Sequence, residues 1–255
     1  MAGHIPLGNK PTTTSLHPSF HSPKAIVQAI TSPIKGSKHR WLAETAAEVR
    51  SLHLWLEAFA RELASAQAHQ TPLSSRLLVE CLALVSDLFF FGALANARIH
   101  WEAGFPRNVN GCTEPEGDEI RINVTNAYDG NISPERYAVK LLVFIAHEAL
   151  HAFWVQYACR GHDACWEEWG ASGHGMAWQR MAFEVERALE YAGVEGVSLV
   201  RAAAAREERD AFRDEGVVWS PSREDVLRYF GGRCPVSGRV YTRDWRDKLK
   251  ALFKW

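Results

Sequence analysis

Residues 147 to 151 read His147-Glu148-Ala149-Leu150-His151, and Gly173-His174-Gly175 follows some two dozen residues later. Three imidazoles and one carboxylate are the donor set of a catalytic zinc centre. Histidines at i and i+4 share one helical face, so both can reach a single metal ion. Glu148 points to the neighbouring edge of that helix. There it can take a proton from metal-bound water without ligating the metal. Three protein ligands leave a tetrahedral zinc its fourth position for water or substrate. The pattern predicts a zinc-dependent peptidase with Glu148 as the general base.

Five residues with three fixed are a weak signal alone, and the flanks add to it. Ser133-Pro134-Glu135 is a helix start, with a serine cap, a proline in the first turn and an acid beside the helix dipole. No Gly or Pro interrupts Tyr137 to Ala158, and Gly161 sits where a helix would stop. The run from Ala138 to Ala146 is apolar nearly all round, as a helix central to a core must be. Burying His147, Glu148 and His151 there without partners would cost several kcal/mol, roughly, and a bound metal removes that cost.

The third ligand is a choice among His174, Glu167 and Glu168. A motif with a third histidine six residues after His151 fails, because that position is Tyr157. Glu167 and Glu168 sit in a Trp-rich stretch with no helical pattern of its own. His174 opens a new one, with Trp178, Met181, Ala182, Val185 and Leu189 on one stripe before Gly193. Packing that stripe against the first helix would hold His174 near the metal.

Upstream, Asp87-Leu88-Phe89-Phe90-Phe91-Gly92-Ala93-Leu94 leads into Ala97-Arg98-Ile99-His100-Trp101, then Gly111-Cys112 and Glu119-Ile120-Arg121-Ile122-Asn123. With the HExxH and Gly-His-Gly motifs, this order resembles the SprT-like domain of Spartan-type metalloproteases, over roughly Leu77 to Leu189. The resemblance implies His147, His151 and His174 as zinc ligands and Glu148 as general base. It also implies protein substrates, in the best-known members proteins trapped on DNA, and hence a nuclear setting. Two departures stand out. The stretch between His151 and His174 is longer than in Spartan, and the paired-cysteine zinc ribbon that follows many such domains has no counterpart here.

Positioning these residues requires an α+β fold of the zincin kind: helices packed on a small sheet, with HExxH on a central buried helix. A helical pattern runs from Trp41 to Ala66, and a second follows Thr71-Pro72 toward Phe89. Two β-rich runs, Ala97 to Trp101 and Glu119 to Val124, flank a Gly/Pro/Asn-rich loop. Glu119 to Asn123 is the expected free sheet edge, against which an extended substrate would pair.

Residues 1–40 hold five prolines and five basic residues with no acid, the composition of a disordered basic tail. The catalytic domain is expected over 41–215 and a basic, aromatic segment over 216–255. The charge is uneven: residues 41–222 carry 15 basic and 26 acidic side chains, whereas 223–255 carry 9 and 4. An acidic core is a poor nucleic-acid surface. In the C-terminal segment Arg228, Arg233, Arg239, Arg243, Arg246, Lys248, Lys250 and Lys254 interleave with Tyr229, Phe230, Tyr241, Trp245, Phe253 and Trp255. That mixture suits either DNA binding or a terminal helix docking its aromatics on the core.

Five irregularly spaced cysteines do not form a secreted disulfide framework, and the N-terminus lacks a secretory pattern, so an intracellular protein is expected. No stretch of about 18 uninterrupted apolar residues predicts a membrane span. Cys159-x-x-His162-x-x-Cys165 could hold a second, structural zinc if Cys112 or Cys234 completed it; the plainer reading is a loop with reduced thiols, beside Trp166 and Trp169 that overhang the site as a lid.

Overall fold

The computed structural model describes residues 21–102, 111–116, 119–125, 128, 130–158, 168–214, 219–231 and 233–240. The elements follow in the order α1 (Pro23–Gly36), α2 (Lys38–Glu44), α3 (Ala46–His69), α4 (Ser75–Phe89), β1 (Ala97–Glu102), β2 (Gly111–Glu116) and β3 (Glu119–Thr125). Then come α5 (Pro134–Tyr157), α6 (Met176–Tyr191), α7 (Arg201–Asp214) and α8 (Arg223–Tyr229). Together they make an α+β fold with one small sheet.

Helix α5 is the centre of the core. Ser133 caps it, its hydroxyl accepting from Arg136 N, and Pro134 occupies the first turn. Leu141, Leu142, Ile145, Leu150 and Phe153 are at most 1 % exposed. Each such side chain contributes about 1.5–3 kcal/mol by leaving water. Helices α3, α4 and α6 and strands β2 and β3 enclose it. Its length and apolar composition match a membrane span, but 67 % of the relevant window is covered by the rest of the fold, which accounts for that composition.

The chain enters the fold earlier than expected. Residues 23–36, read from composition as part of a tail, form α1, and its Ile26, Ile30 and Ile34 are 2 % exposed in the same core as α5 and α6. Isoleucines four residues apart make one apolar stripe, and Pro33 sits inside the helix without removing it. Ser22 and Pro23 form the same serine–proline start as in α5. Residues 1–20 lie outside the described residues. The long pattern from Trp41 is two helices, broken at Thr45, whose hydroxyl donates to Trp41 O at 2.8 Å. Ser74, rather than Thr71-Pro72, caps α4.

The sheet differs from expectation in one consequential way. Its order is β1-β3-β2, with β1 parallel and β2 antiparallel to β3. Glu119 to Asn123 therefore lies in the central strand, paired on both sides, and offers no free edge. Strand β2 was hidden in the loop because Gly111, Glu114, Pro115 and Glu116 carry no apolar alternation. Pro115, which lacks an N–H, suits an edge strand.

At the other end, α8 packs on α6, with Val226 0 % and Tyr229 5 % exposed. The first part of the basic C-terminal segment thus belongs to the core. Tyr229 is buried against Phe183, so it is not available to stack on bases, while the half-buried Phe230 meets the Arg201 guanidinium. Residues 241–255, with the remaining aromatics and most of the cations, lie outside the described residues.

Candidate metal centre

The 3.6-residue period of α5 puts His147 and His151 one turn apart on the face toward α6. His174 stands at the start of α6, where the apolar stripe of Trp178, Met181 and Val185 (all 0 % exposed) fixes the approach to α5. The three Nε2 atoms converge at 3.1 Å (His147–His174), 3.2 Å (His147–His151) and 3.2 Å (His151–His174). Three neutral imidazoles cannot satisfy one another in such a triangle. Three lone pairs aimed at one point can hold a metal ion, and these are the histidines close enough to do so. Trp178 supports all three rings, at centroid distances of 4.7 Å, 5.9 Å and 4.9 Å from His147, His151 and His174.

The far side of each ring decides which nitrogen carries the proton. His147 Nδ1 faces Leu199 O at 3.4 Å. His174 Nδ1 lies 3.1 Å from Ser172 Oγ, whose own proton goes to Glu208 Oε2 at 2.6 Å. Ser172 therefore accepts from His174 Nδ1–H, leaving the Nε2 lone pair for the metal.

Glu208, on α7 and 0 % exposed, organises the loop that carries His174. Its carboxylate also accepts from Ala171 N, Ser172 N (3.1 Å) and His174 N (2.9 Å). Gly170 makes room for it: a Cβ there would stand 2.1 Å from Glu208 Oε1, and φ is +93°. Glu208 was not predicted from the sequence. Its neighbours in α7 are equally charged, and its partner glycine lies in a distant part of the chain.

Glu148 is 7 % exposed and lines the same cleft as the three histidines. Thr113 on β2 donates to its Oε2 at 2.8 Å and lies 3.0 Å from its backbone oxygen. Burial pushes the Glu148 carboxyl up to about 7; the Thr113 hydroxyl opposes this and the charge of Glu207 adds to it. Burial likewise drives His147 down to about 4 and His174 to about 3, the latter helped by His147, and holds His151 well below its usual range. The imidazoles are thus kept neutral, the form that ligates. A cation among them would favour that form further and draw Glu148 toward its carboxylate.

The other expected site residues separate from this centre. Glu168 turns to Arg180, its Oε2 accepting from Nη1 at 3.3 Å, so it is no ligand. Glu167, Cys159, His162, Cys165 and Trp166 lie outside the described residues. Cys112 lines the cleft from β2, while Cys234 is buried in a turn closed by Ser237 N and Arg239 O. Trp169 stacks on Trp154 at 4.5 Å and meets the His151 ring edge-on, making a wall of the cleft. That cleft, about 720 Å³, is lined by Gly111, Cys112 and Thr113 of β2 and by Phe144, Val155, Val200 and Ala203 among others. No Lys or Arg lines it among the described residues. Compared with protein-family descriptions, with curated proteins and with solved structures, the chain matches none.

Proposed function

We propose that this protein is a zinc-dependent endopeptidase with a zincin-type core, of the SprT-like kind its motifs resemble. The observation that carries the reading is the triangle of three Nε2 atoms beside a buried carboxylate. Zinc–nitrogen bonds of about 2.0–2.1 Å at tetrahedral angles set ligand nitrogens about 3.3 Å apart. The observed 3.1–3.2 Å is close to that spacing, and all three histidines line the cleft. His147, His151 and His174 would hold the zinc, which supplies Lewis acidity and an acidified water when bound.

The chain's own groups then have defined tasks. Glu148 accepts the proton of the attacking water and returns it to the leaving amine. Thr113 holds that carboxylate at the edge of the cleft. Strand β2, paired among the described residues with β3 on one side only, offers its other edge to an extended peptide, in place of the strand expected from the sequence. Main-chain pairing of this kind selects unfolded segments more than particular side chains. A cleft with no cation among its described lining residues suits peptide better than nucleic acid.

Action on DNA-associated proteins rests on the family resemblance. A peptidase independent of DNA is the second reading, and the inward placement of Tyr229 favours it. Cleavage of a basic, loosely folded protein by wild type and Glu148→Gln, with and without single-stranded DNA, tests both. DNA-dependent cleavage by wild type alone supports the first, and DNA-independent cleavage requiring Glu148 supports the second. Stoichiometric zinc with no cleavage under any condition would leave a zinc-binding adaptor and sink the peptidase.

A further inference from the structure

Val200 has a backbone φ of +52°, in the left-handed region that β-branched residues avoid. Its side chain is 46 % exposed on the cleft wall, so no packing of its own requires that conformation. Both neighbours are gripped by a single buried carboxylate. Glu186 on α6 accepts from Leu199 N at 2.7 Å through Oε1 and from Arg201 Nε at 2.5 Å through Oε2. Arg201 is fixed in turn by Tyr229 O and by the rings of Phe183 and Phe230, and its own carbonyl accepts from Gln179 Nε2. The turn held this way has two outputs. Val200 O receives Ala203 N and Ala204 N, starting α7, and Leu199 O faces His147 Nδ1.

We propose that Glu186 is a positioning residue for the metal centre: by clamping residues 199 and 201 it forces the Val200 turn and so aims the Leu199 carbonyl at His147. The inference rests on the metal reading of the three histidines and extends it to a residue that touches none of them. The carbonyl makes His147 keep its proton on Nδ1 and present Nε2 to the metal. An imidazole without that acceptor exchanges tautomers, and the ligand set is then incomplete for part of the time. Loss of such supporting partners lowers metal affinity by about 10–100-fold in comparable sites.

The test uses the full chain, with zinc affinity from competition with a chelator and the His147 tautomer from imidazole nitrogen shifts of the zinc-free protein. Glu186→Gln keeps the shape, and Arg201→Gln removes the second arm should the first variant fold poorly. The expected result is a zinc affinity lower by about 10-fold or more, with a mixed His147 tautomer in a protein that remains folded. Val200→Gly removes the strained side chain's demand for the clamp, so the loss from Glu186→Gln shrinks in that background. Wild-type affinity and an unchanged Nδ1–H tautomer in both clamp variants would overturn the proposal. A wild type that takes up no zinc would instead overturn the metal reading, and the tautomer of the zinc-free protein still decides the role of Glu186.

Discussion

Gly170 and Glu208 share one volume: the space a Cβ would take at residue 170 is filled by the Glu208 carboxylate, 2.1 Å from its position. The loop bearing the third histidine is therefore shaped from outside, by a helix later in the chain. Gly170→Ala should displace Glu208 and force a side chain onto a φ of +93°. We expect a loss of about 2 kcal/mol or more, or about 4–8 °C in melting temperature for a chain of this size. Zinc uptake should weaken in parallel. Calorimetry with and without zinc checks this, and an unshifted melt would show that the loop does not depend on the notch.

Zinc content and turnover should separate cleanly between neighbouring residues. His151→Ala removes one corner of the triangle and should abolish stoichiometric zinc. Glu148→Gln should keep the zinc and lower kcat by about 10²–10⁴-fold, the range for a lost general base. Elemental analysis beside a peptide-cleavage assay reads both, and full turnover by Glu148→Gln would remove Glu148 from the mechanism.

Thr113→Val tests the hydroxyl on Glu148. A donor to the charged carboxylate lowers its pKa from where burial alone would put it, so removing the donor raises it. The base form is the active one, so the acid limb of the kcat/KM profile should move to higher pH. A limb that stays in place would mean that Thr113 does not act on Glu148.

Without metal, the three histidines should cost stability on acidification. The histidines are depressed in the folded state, to about 4 for His147 and about 3 for His174, with His151 also well below its usual 6.5. Their contribution is present above 6.5 and is lost as pH falls from there through the folded values. Glu148, raised to about 7, has the opposite sign: its contribution is present below 4.5 and is lost as pH rises through 7. Burial raises Glu184, Glu186 and Glu207 in the same sense as Glu148, so the histidines' share is read as a difference: without zinc, wild type should lose more melting temperature from pH 7 to pH 5 than His147→Gln. An equal loss in the two proteins would contradict that share.

What could be read from the sequence was local. The serine–proline start of α5, its apolar length and the stripe from Trp178 to Leu189 are periodicities within one helix, and each stands as expected. The two histidines at i and i+4 follow from helix geometry alone, and His174 follows from the stripe that carries it. The errors lie where the partner is distant or the composition misleads. Strand β2 has no buried residue and an exposed second half, so it lacks apolar alternation, and Glu119 to Asn123 read as an edge when it is the middle of the sheet. Helix α1 was concealed by prolines and basic residues around three isoleucines. Glu186 and Glu208 look like surface acids, and only the backbone donors folded against them reveal their tasks.

Helix α1 also sets a timetable for the chain. His21 N donates to Tyr157 O at the end of α5, and Ile34 O receives Arg187 Nη2, 153 residues further on. Among the described helices α1 is translated earliest, so its isoleucines lack their α6 partner until that helix has been made. Until then three apolar side chains stand in water, and a cut within α1 would remove a stave of the core rather than trim a loose end.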